Sequence, residues 1–211
     1  MATWHIGITG GIGSGKSTLG KLLADRGAFL IDADALSRAS TAAGGAAMPA
    51  ICQTFGNAFA NADGSLNRDA MRELVFRQPQ AKAQLEAIVH PIVVSQVQQA
   101  SQQACAQGYG AVLYDIPLLA ESSHWRTRLQ HVVVVDCEPE TQITRVMQRN
   151  HLERHTVVAI MQSQASRTQR LAIADSVVYN GASISLAALQ EQAQCLARSF
   201  GLTAPKGYPL A

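Results

Sequence analysis

The sequence predicts an α/β fold, a five-stranded parallel sheet with helices on both faces, and three observations predict it. The first is Gly10-Gly11-Ile12-Gly13-Ser14-Gly15-Lys16-Ser17-Thr18, a G-x-x-x-x-G-K-[ST] run between an apolar segment at 4–9 and a helical pattern at 16–26. The second is a set of apolar segments ending in an acid, at 28–32, 111–115 and 131–136. They lack polar alternation, as strands of a parallel sheet covered on both faces do. The third is the pair of helical patterns at 139–150 and 186–200 that accompanies them, with a weaker fifth strand at 176–179.

Along the chain, the loop after the first strand comes first. Glycines let a backbone wrap closely around phosphate oxygens, where a Cβ would intrude. Amide N–H groups then converge, and the following helix adds its positive end. Lys16 supplies a cation for the β- and γ-phosphates, and the Ser17 hydroxyl can ligate the bridging Mg²⁺. Gly11, Gly13, Ser14, Gly15, Lys16, Ser17 and Thr18 are the candidate contacts for a nucleoside triphosphate. ATP and Mg²⁺ are the ligand and cofactor expected.

Asp32-Ala33-Asp34 ends the second strand. If the strand continues through Asp34, residues two apart face one side, and both carboxylates point to one place. With this strand beside the first, that place adjoins the phosphate loop. One carboxylate can hold Mg²⁺ while the other accepts a proton from an attacking hydroxyl. The plainer alternative is that they cap a helix or brace a turn.

The stretch 37–107 is too long for one crossover. It carries turn signals at Gly44-Gly45, Phe55-Gly56-Asn57 and Ala62-Asp63-Gly64, then helical patterns at 68–77, 80–89 and 91–107. Pro91 fits the first turn of the last of these. An inserted helical domain is expected there. Asp115 opens Asp115-Ile116-Pro117-Leu118-Leu119 at the end of the third strand. It suits either Mg²⁺, water or acceptor positioning, or an N-cap. Asp136, in a strand-to-helix turn, is read as a cap.

Residues 138–170 are arginine-rich and helical, a lid over the core segments 1–36, 108–137 and 171–211. Arg145 and Arg149 share a helix face, and Arg154, Arg167 and Arg170 follow. Phosphoryl transfer spreads negative charge over the moving oxygens, and a closing arginine can meet it. His90 precedes Pro91, far from the phosphate loop, and suits binding or helix geometry better than catalysis.

Composition narrows the classes. A formal charge of +2 over 211 residues argues against a surface that coats nucleic acid. Cys52, Cys105, Cys137 and Cys195 form no C-x-x-C pair, so reduced, mostly buried thiols in a cytoplasmic protein are expected. No apolar run reaches membrane-spanning length. The partners expected are small molecules, with no nucleic acid and no membrane, on a monomer or weak homo-oligomer.

Taken together, these residues resemble the dephospho-CoA kinase family over nearly the whole chain, from Ile6 to about Gly181. The resemblance is carried by Ile8 to Thr18, Ile31-Asp32-Ala33-Asp34, Leu66 with Arg68 to Phe76, His90-Pro91, and Asp115-Ile116-Pro117-Leu118-Leu119-Ala120-Glu121. Met147-Gln148-Arg149, Gln164-Ala165-Ser166-Arg167, Arg170-Leu171 with Ala174-Asp175, and Asn180-Gly181 complete it. It implies a core, a CoA-binding helical domain and a lid. The activity implied is transfer of the γ-phosphoryl of ATP to the ribose 3′-hydroxyl of dephospho-CoA, the last step of coenzyme A synthesis. By that match Asp34 is the general base with Asp32 beside it, the latter toward Mg²⁺. Lys16 and Arg149 stabilise the moving phosphoryl group, and Asn180 sits near the adenine. Arg68, His90, Asp115, Arg167 and Arg170, with both aspartates, meet the acceptor. A kinase for a nucleoside monophosphate or small metabolite would share the core and differ in the insertions. A GTPase switch lacks support, because no Asn in the chain is followed by Lys. A nucleic-acid-binding ATPase would need an aromatic–basic stripe that the chain does not carry.

Overall fold

A computed structural model describes residues 3–116, 119–120 and 123–202. Pro117, Leu118 and Glu121 of the third strand's motif lie outside the described residues, as does the segment from 203 onward. The elements run β1 (Trp4–Gly10), α1 (Lys16–Ala24), β2 (Ala28–Asp32), α2 (Ala33–Ser40), α3 (Met48–Phe55), α4 (Arg68–Arg77) and α5 (Pro79–Ala106). There follow β3 (Ala111–Asp115), α6 (Ser123–Arg126), β4 (His131–Asp136), α7 (Pro139–Asn150), α8 (Arg154–Ser163), α9 (Arg167–Ala172), β5 (Ser176–Tyr179) and α10 (Leu186–Ser199).

The five strands lie in the order β2-β3-β1-β4-β5. β1 runs parallel to β3 and to β4, and β4 runs parallel to β5. The sheet is therefore of the kind the apolar strand segments predict. Its order corrects one expectation: β3, not β2, is the neighbour of β1 on that side. The chain leaves β1 through α1, passes over one position, and β3 later fills it. Chain direction changes sides at β1, so the carboxyl ends of β1, β3 and β4 border the crevice where ligands bind in such sheets.

Apolar contacts hold this layer. Ile6 and Ile8 of β1, Leu113 of β3, and Val133 and Val135 of β4 are almost fully buried against Leu19 and Leu23 of α1 and Leu189 and Ala193 of α10. On the other face, a Cβ at Gly7 would meet Leu119 and Leu129. Val112, Val132 and Val134 are buried there too, so both faces are covered.

The described residues form two compact units, one within Met1–Ile31 and Gln103–Ala211, the other within Asp32–Gln102. The break falls at Asp32, ahead of the expected residue 37, and α7, α8 and α9 group with the sheet. In the second unit Ala47, Met48, Ile51, Leu66 and Met71 form a separate core. Three local expectations need correction here. The helical patterns at 80–89 and 91–107 are one helix, α5, with Pro91 inside it. Leu85, Ile88, Val89 and Ile92, on both sides of the proline, pack on the same core. That burial offsets the roughly 3 kcal/mol an interior proline costs. Next, α2 and α3 occupy stretches to which the sequence assigns no helix, while the glycines of the turn signals, Gly44, Gly56 and Gly64, lie outside both helices. Finally, the cysteines are not mostly buried: Cys137 is buried, Cys52 is half-buried, and Cys105 and Cys195 are exposed. Among the described residues, no helix is long and apolar enough to cross a membrane.

Candidate active site

The phosphate loop joins β1 to α1. Gly15 is the N-cap of α1 with φ +96°, a left-handed conformation that glycine adopts without strain. α1 has no side-chain cap and no acid in its first turn, so the positive end of its dipole faces the loop. The Ser14 hydroxyl is buried without a hydrogen-bond partner among the described residues. Such a group suits a ligand oxygen. Ser17 and Thr18 are exposed on the first turn. Lys16 forms an ion pair with Asp115, their side chains 16% and 7% exposed. The register explains it: Ile8 pairs with Asp115 across β1 and β3, which sets the acid beside the loop. Of the two roles open for Asp115, the contact favours the one at the phosphate end.

Four residues named from the sequence act on the loop or on each other. Asn180, expected near the adenine, donates from Nδ2 to the Ser14 carbonyl at 2.7 Å and is 6% exposed. A Cβ on Gly15 would collide with that amide. The residue braces the loop from behind. Asp136, read as a cap, caps no helix with its side chain among the described residues. It receives Arg167, Nε to Oδ1 at 2.9 Å and Nη2 to Oδ2 at 2.6 Å. The carboxylate holds the Arg167 guanidinium above its usual arginine pKa, first by hydrogen bonding and then by charge. Arg167 thereby ties the start of α9 to the end of β4. Arg145 donates to the carbonyls of Asn180 and Gly181 at 2.8 and 3.2 Å.

The other arginines of residues 138–170 have separate partners. Arg154 pairs with Glu140 at 2.6 Å. Arg170 donates to the Ala165 carbonyl, and its Nη2 stands 3.0 Å from where a Cβ on Gly11 would sit. Arg149 is exposed, its Nε bonded to the adjacent Asn150 at 2.8 Å. Two glutamines have no site role in the sequence analysis, although Gln164 lies in one of its motifs. Gln142 Nε2 donates to the Ile12 carbonyl at 2.6 Å, and Gln164 Oε1 accepts the Ile12 N–H at 3.0 Å. The signal was present for Gln142. It is a polar residue one turn before Val146 on the apolar stripe of α7, and it is 3% exposed. Gln142, Gln164, Arg167 and Arg170 also line a cavity of about 130 Å³ among α7, α8 and α9.

In the second unit, Asp32 and Asp34 are not two strand residues sharing a face. β2 ends at Asp32, which is the N-cap of α2 and accepts the Ala35 N–H at 2.8 Å. An aspartate before a helix start satisfies a donor that strand continuation would leave exposed. Arg38 lies 3.7 Å from its other oxygen. Asp34 is exposed in the first turn of α2. Arg68 opens α4 and donates to Thr41 Oγ1 at 3.0 Å, while His90 is exposed on α5. No cluster of three or more His, Cys, Asp or Glu among the described residues could hold a metal by itself. A hydroxyl at Ser17 and a carboxylate at Asp115 do fit Mg²⁺ that arrives with a nucleotide, since that ion takes few protein ligands and keeps phosphate and water.

Comparison with known proteins gives one consistent result. The dephospho-CoA kinase family model matches residues 4–185. The dephospho-CoA kinase of Albidiferax ferrireducens is 48% identical over 199 residues, covering 94% of this chain and 93% of its own. That of Bordetella pertussis is 48% identical over 194 residues, covering 92% and 89%. A Thermus thermophilus crystal structure superposes with TM-score 0.75 at 30% identity, over 94% of this chain and 98% of that one. Dephospho-CoA kinase from Campylobacter jejuni (TM-score 0.69, 23% identity) covers 92% of this chain and 96% of its own, and is similar in fold.

Proposed function

The chain belongs to the dephospho-CoA kinase family, and we propose that its phosphate loop, Arg149 and Asp34 carry out transfer of the ATP γ-phosphoryl to the ribose 3′-hydroxyl of dephospho-CoA. The enzyme is an ATP-dependent phosphotransferase with an alcohol acceptor. The observation that carries the site assignment is the uncapped start of α1 with Lys16 and the buried Ser14 hydroxyl beside it. Anionic phosphates are the ligand such a cradle favours.

Gly11, Gly13, Ser14, Gly15, Lys16, Ser17 and Thr18 hold the triphosphate. Lys16 leaves Asp115 for the γ-phosphate when nucleotide enters, because a dianionic phosphate competes well with one carboxylate. Ser17 and Asp115 would hold Mg²⁺ arriving with the nucleotide, and the ion would there neutralise phosphate charge during transfer. The acceptor oxygen forms the new bond to the γ-phosphorus as the bridging oxygen departs with ADP. Asp34 takes the hydroxyl proton. Asp32 holds the start of α2, and so the direction of Asp34, through its cap. Asp32–Gln102 forms the acceptor-binding unit, with Arg68 and His90 suited to the anionic diphosphate of dephospho-CoA. Arg167 and Arg170 serve the lid side, and α7, α8 and α9 are that lid. The compartment in keeping with four free thiols is the cytoplasm.

ADP release measured with dephospho-CoA against a panel of nucleoside monophosphates and small alcohols tests this function. Turnover confined to the panel would refute it. Substituting Arg68 or His90 by Ala is expected to raise KM for dephospho-CoA about tenfold and leave KM for ATP unchanged. Equal damage to both constants would make the unit's role structural. Arg149→Ala is expected to lower kcat about 10²-fold with little change in ATP affinity, because its partner is charge that develops during transfer. The other lid arginines are engaged by Asn180, Glu140, Asp136 and Ala165, which leaves Arg149 the best placed to move. A rise in KM for ATP alone would make Arg149 a ground-state contact.

A further inference from the structure

Resting on the phosphotransfer site described above, we propose that Gln142 and Gln164 are positioning residues: they clamp the two peptide planes at Ile12 and so aim the Gly13 N–H at the donor's phosphates. Gln164 Oε1 accepts the Ile12 N–H at 3.0 Å, which fixes the plane between Gly11 and Ile12. Gln142 Nε2 donates to the Ile12 carbonyl at 2.6 Å, which fixes the next plane. A peptide unit is planar and trans, so the Ile12 C=O and the Gly13 N–H point in opposite directions. Holding the carbonyl against α7 turns the Gly13 N–H away from α7, to the side the triphosphate occupies. Glycine dihedrals are soft, and Gly13 is left-handed at φ +74°. Without an outside hold, that plane could turn over.

Two further observations separate this clamp from ordinary packing. A Cβ on Gly11 would overlap Gln142 Nε2, so this glycine leaves room for the amide that grips the loop. The Ile12 side chain also packs against Ile143, Val146 and Val157, the small core of α7 and α8. Gln142 comes from α7 and Gln164 from the end of α8. The loop therefore takes its phosphate-ready shape from α7, the helix that carries Arg149, and from the end of α8. Transferring groups are sensitive to such placement, and a 1 Å displacement can lower a rate about 10²-fold.

The test uses three variants of the full chain, each checked for folding by its thermal melt. Gln142→Met and Gln164→Met keep length and apolar contact but lose the donor and the acceptor. Gln164→Glu keeps the acceptor. Both Met variants are expected to lower kcat/KM for ATP about 10- to 100-fold, with KM for dephospho-CoA within about twofold of wild type. The Kd for ATP, measured by calorimetry without acceptor, should weaken as well. Gln164→Glu should recover most of what Gln164→Met loses. Unchanged ATP constants, equal loss for both substrates, or a Glu variant as poor as Met would each overturn the proposal. Gln164 is half-buried, so it carries the test alone if Gln142→Met does not fold. Because calorimetry needs no acceptor, a wild type that binds ATP yet leaves dephospho-CoA untouched would refute the function and still allow the clamp to be judged.

Discussion

Lys16→Ala is expected to abolish transfer, by about 10³-fold or more in kcat, because the lost cation contacts the group that moves. The ion pair with Asp115 complicates the measurement and also sharpens it. Asp115 is almost buried, and removing Lys16 leaves its charge without that partner. An orphaned buried group of this kind costs about 1–3 kcal/mol or more, so the variant should melt earlier. Asp115→Asn placed on top of Lys16→Ala should raise the melt again, since a neutral amide tolerates burial better than a lone carboxylate. Activity should not return. Should stability and turnover recover together, Lys16 would be a structural partner of Asp115, and the phosphate-loop role would fall.

The same contact shows why some of the molecule was legible in the sequence. The loop is a local signal: its glycines, lysine and hydroxyls are consecutive, and the strand and helix around it are the neighbouring segments. Strands that are buried on both faces announce themselves as apolar runs, and 111–115 and 131–136 coincide with β3 and β4. Sheet order is different. It depends on which strand fills the place next to β1, and nothing in 28–36 records that β3 will take it. The hidden parts of the site are long-range pairs. Asn180 meets Ser14 across 166 positions and Gln142 meets Ile12 across 130. A lone Asn or Gln carries no spacing pattern that names such a partner. Asp32-Ala33-Asp34 admits two readings for a local reason. Alternation and capping both suit Asp-x-Asp, and the cap wins because α2 starts at once and needs an acceptor for its first N–H groups.

That correction changes what the two aspartates should do when altered. Asp32→Asn keeps a side-chain oxygen of nearly equal capping quality, so α2 and its direction should survive. Asp32→Ala removes the cap and should cost about 1 kcal/mol of stability, since Asp32 holds the Ala35 N–H. Asp34 lies in the first turn of the same helix, exposed, and has no part in that cap. Asp34→Asn should leave the fold and both substrate affinities intact while kcat falls about 10²-fold, the lower part of the range for a general base, since phosphoryl transfer has a loose transition state. Turnover measured against Mg²⁺ concentration separates the roles. Asp34→Asn should stay slow at every metal level, because its defect is proton acceptance. Asp32→Asn should stay near wild type throughout if capping is its whole contribution, and should recover with added metal if it also holds the Mg²⁺ water shell. Rescue of Asp34→Asn by metal, with Asp32→Asn slow at all levels, would reverse the assignment and make Asp32 the base.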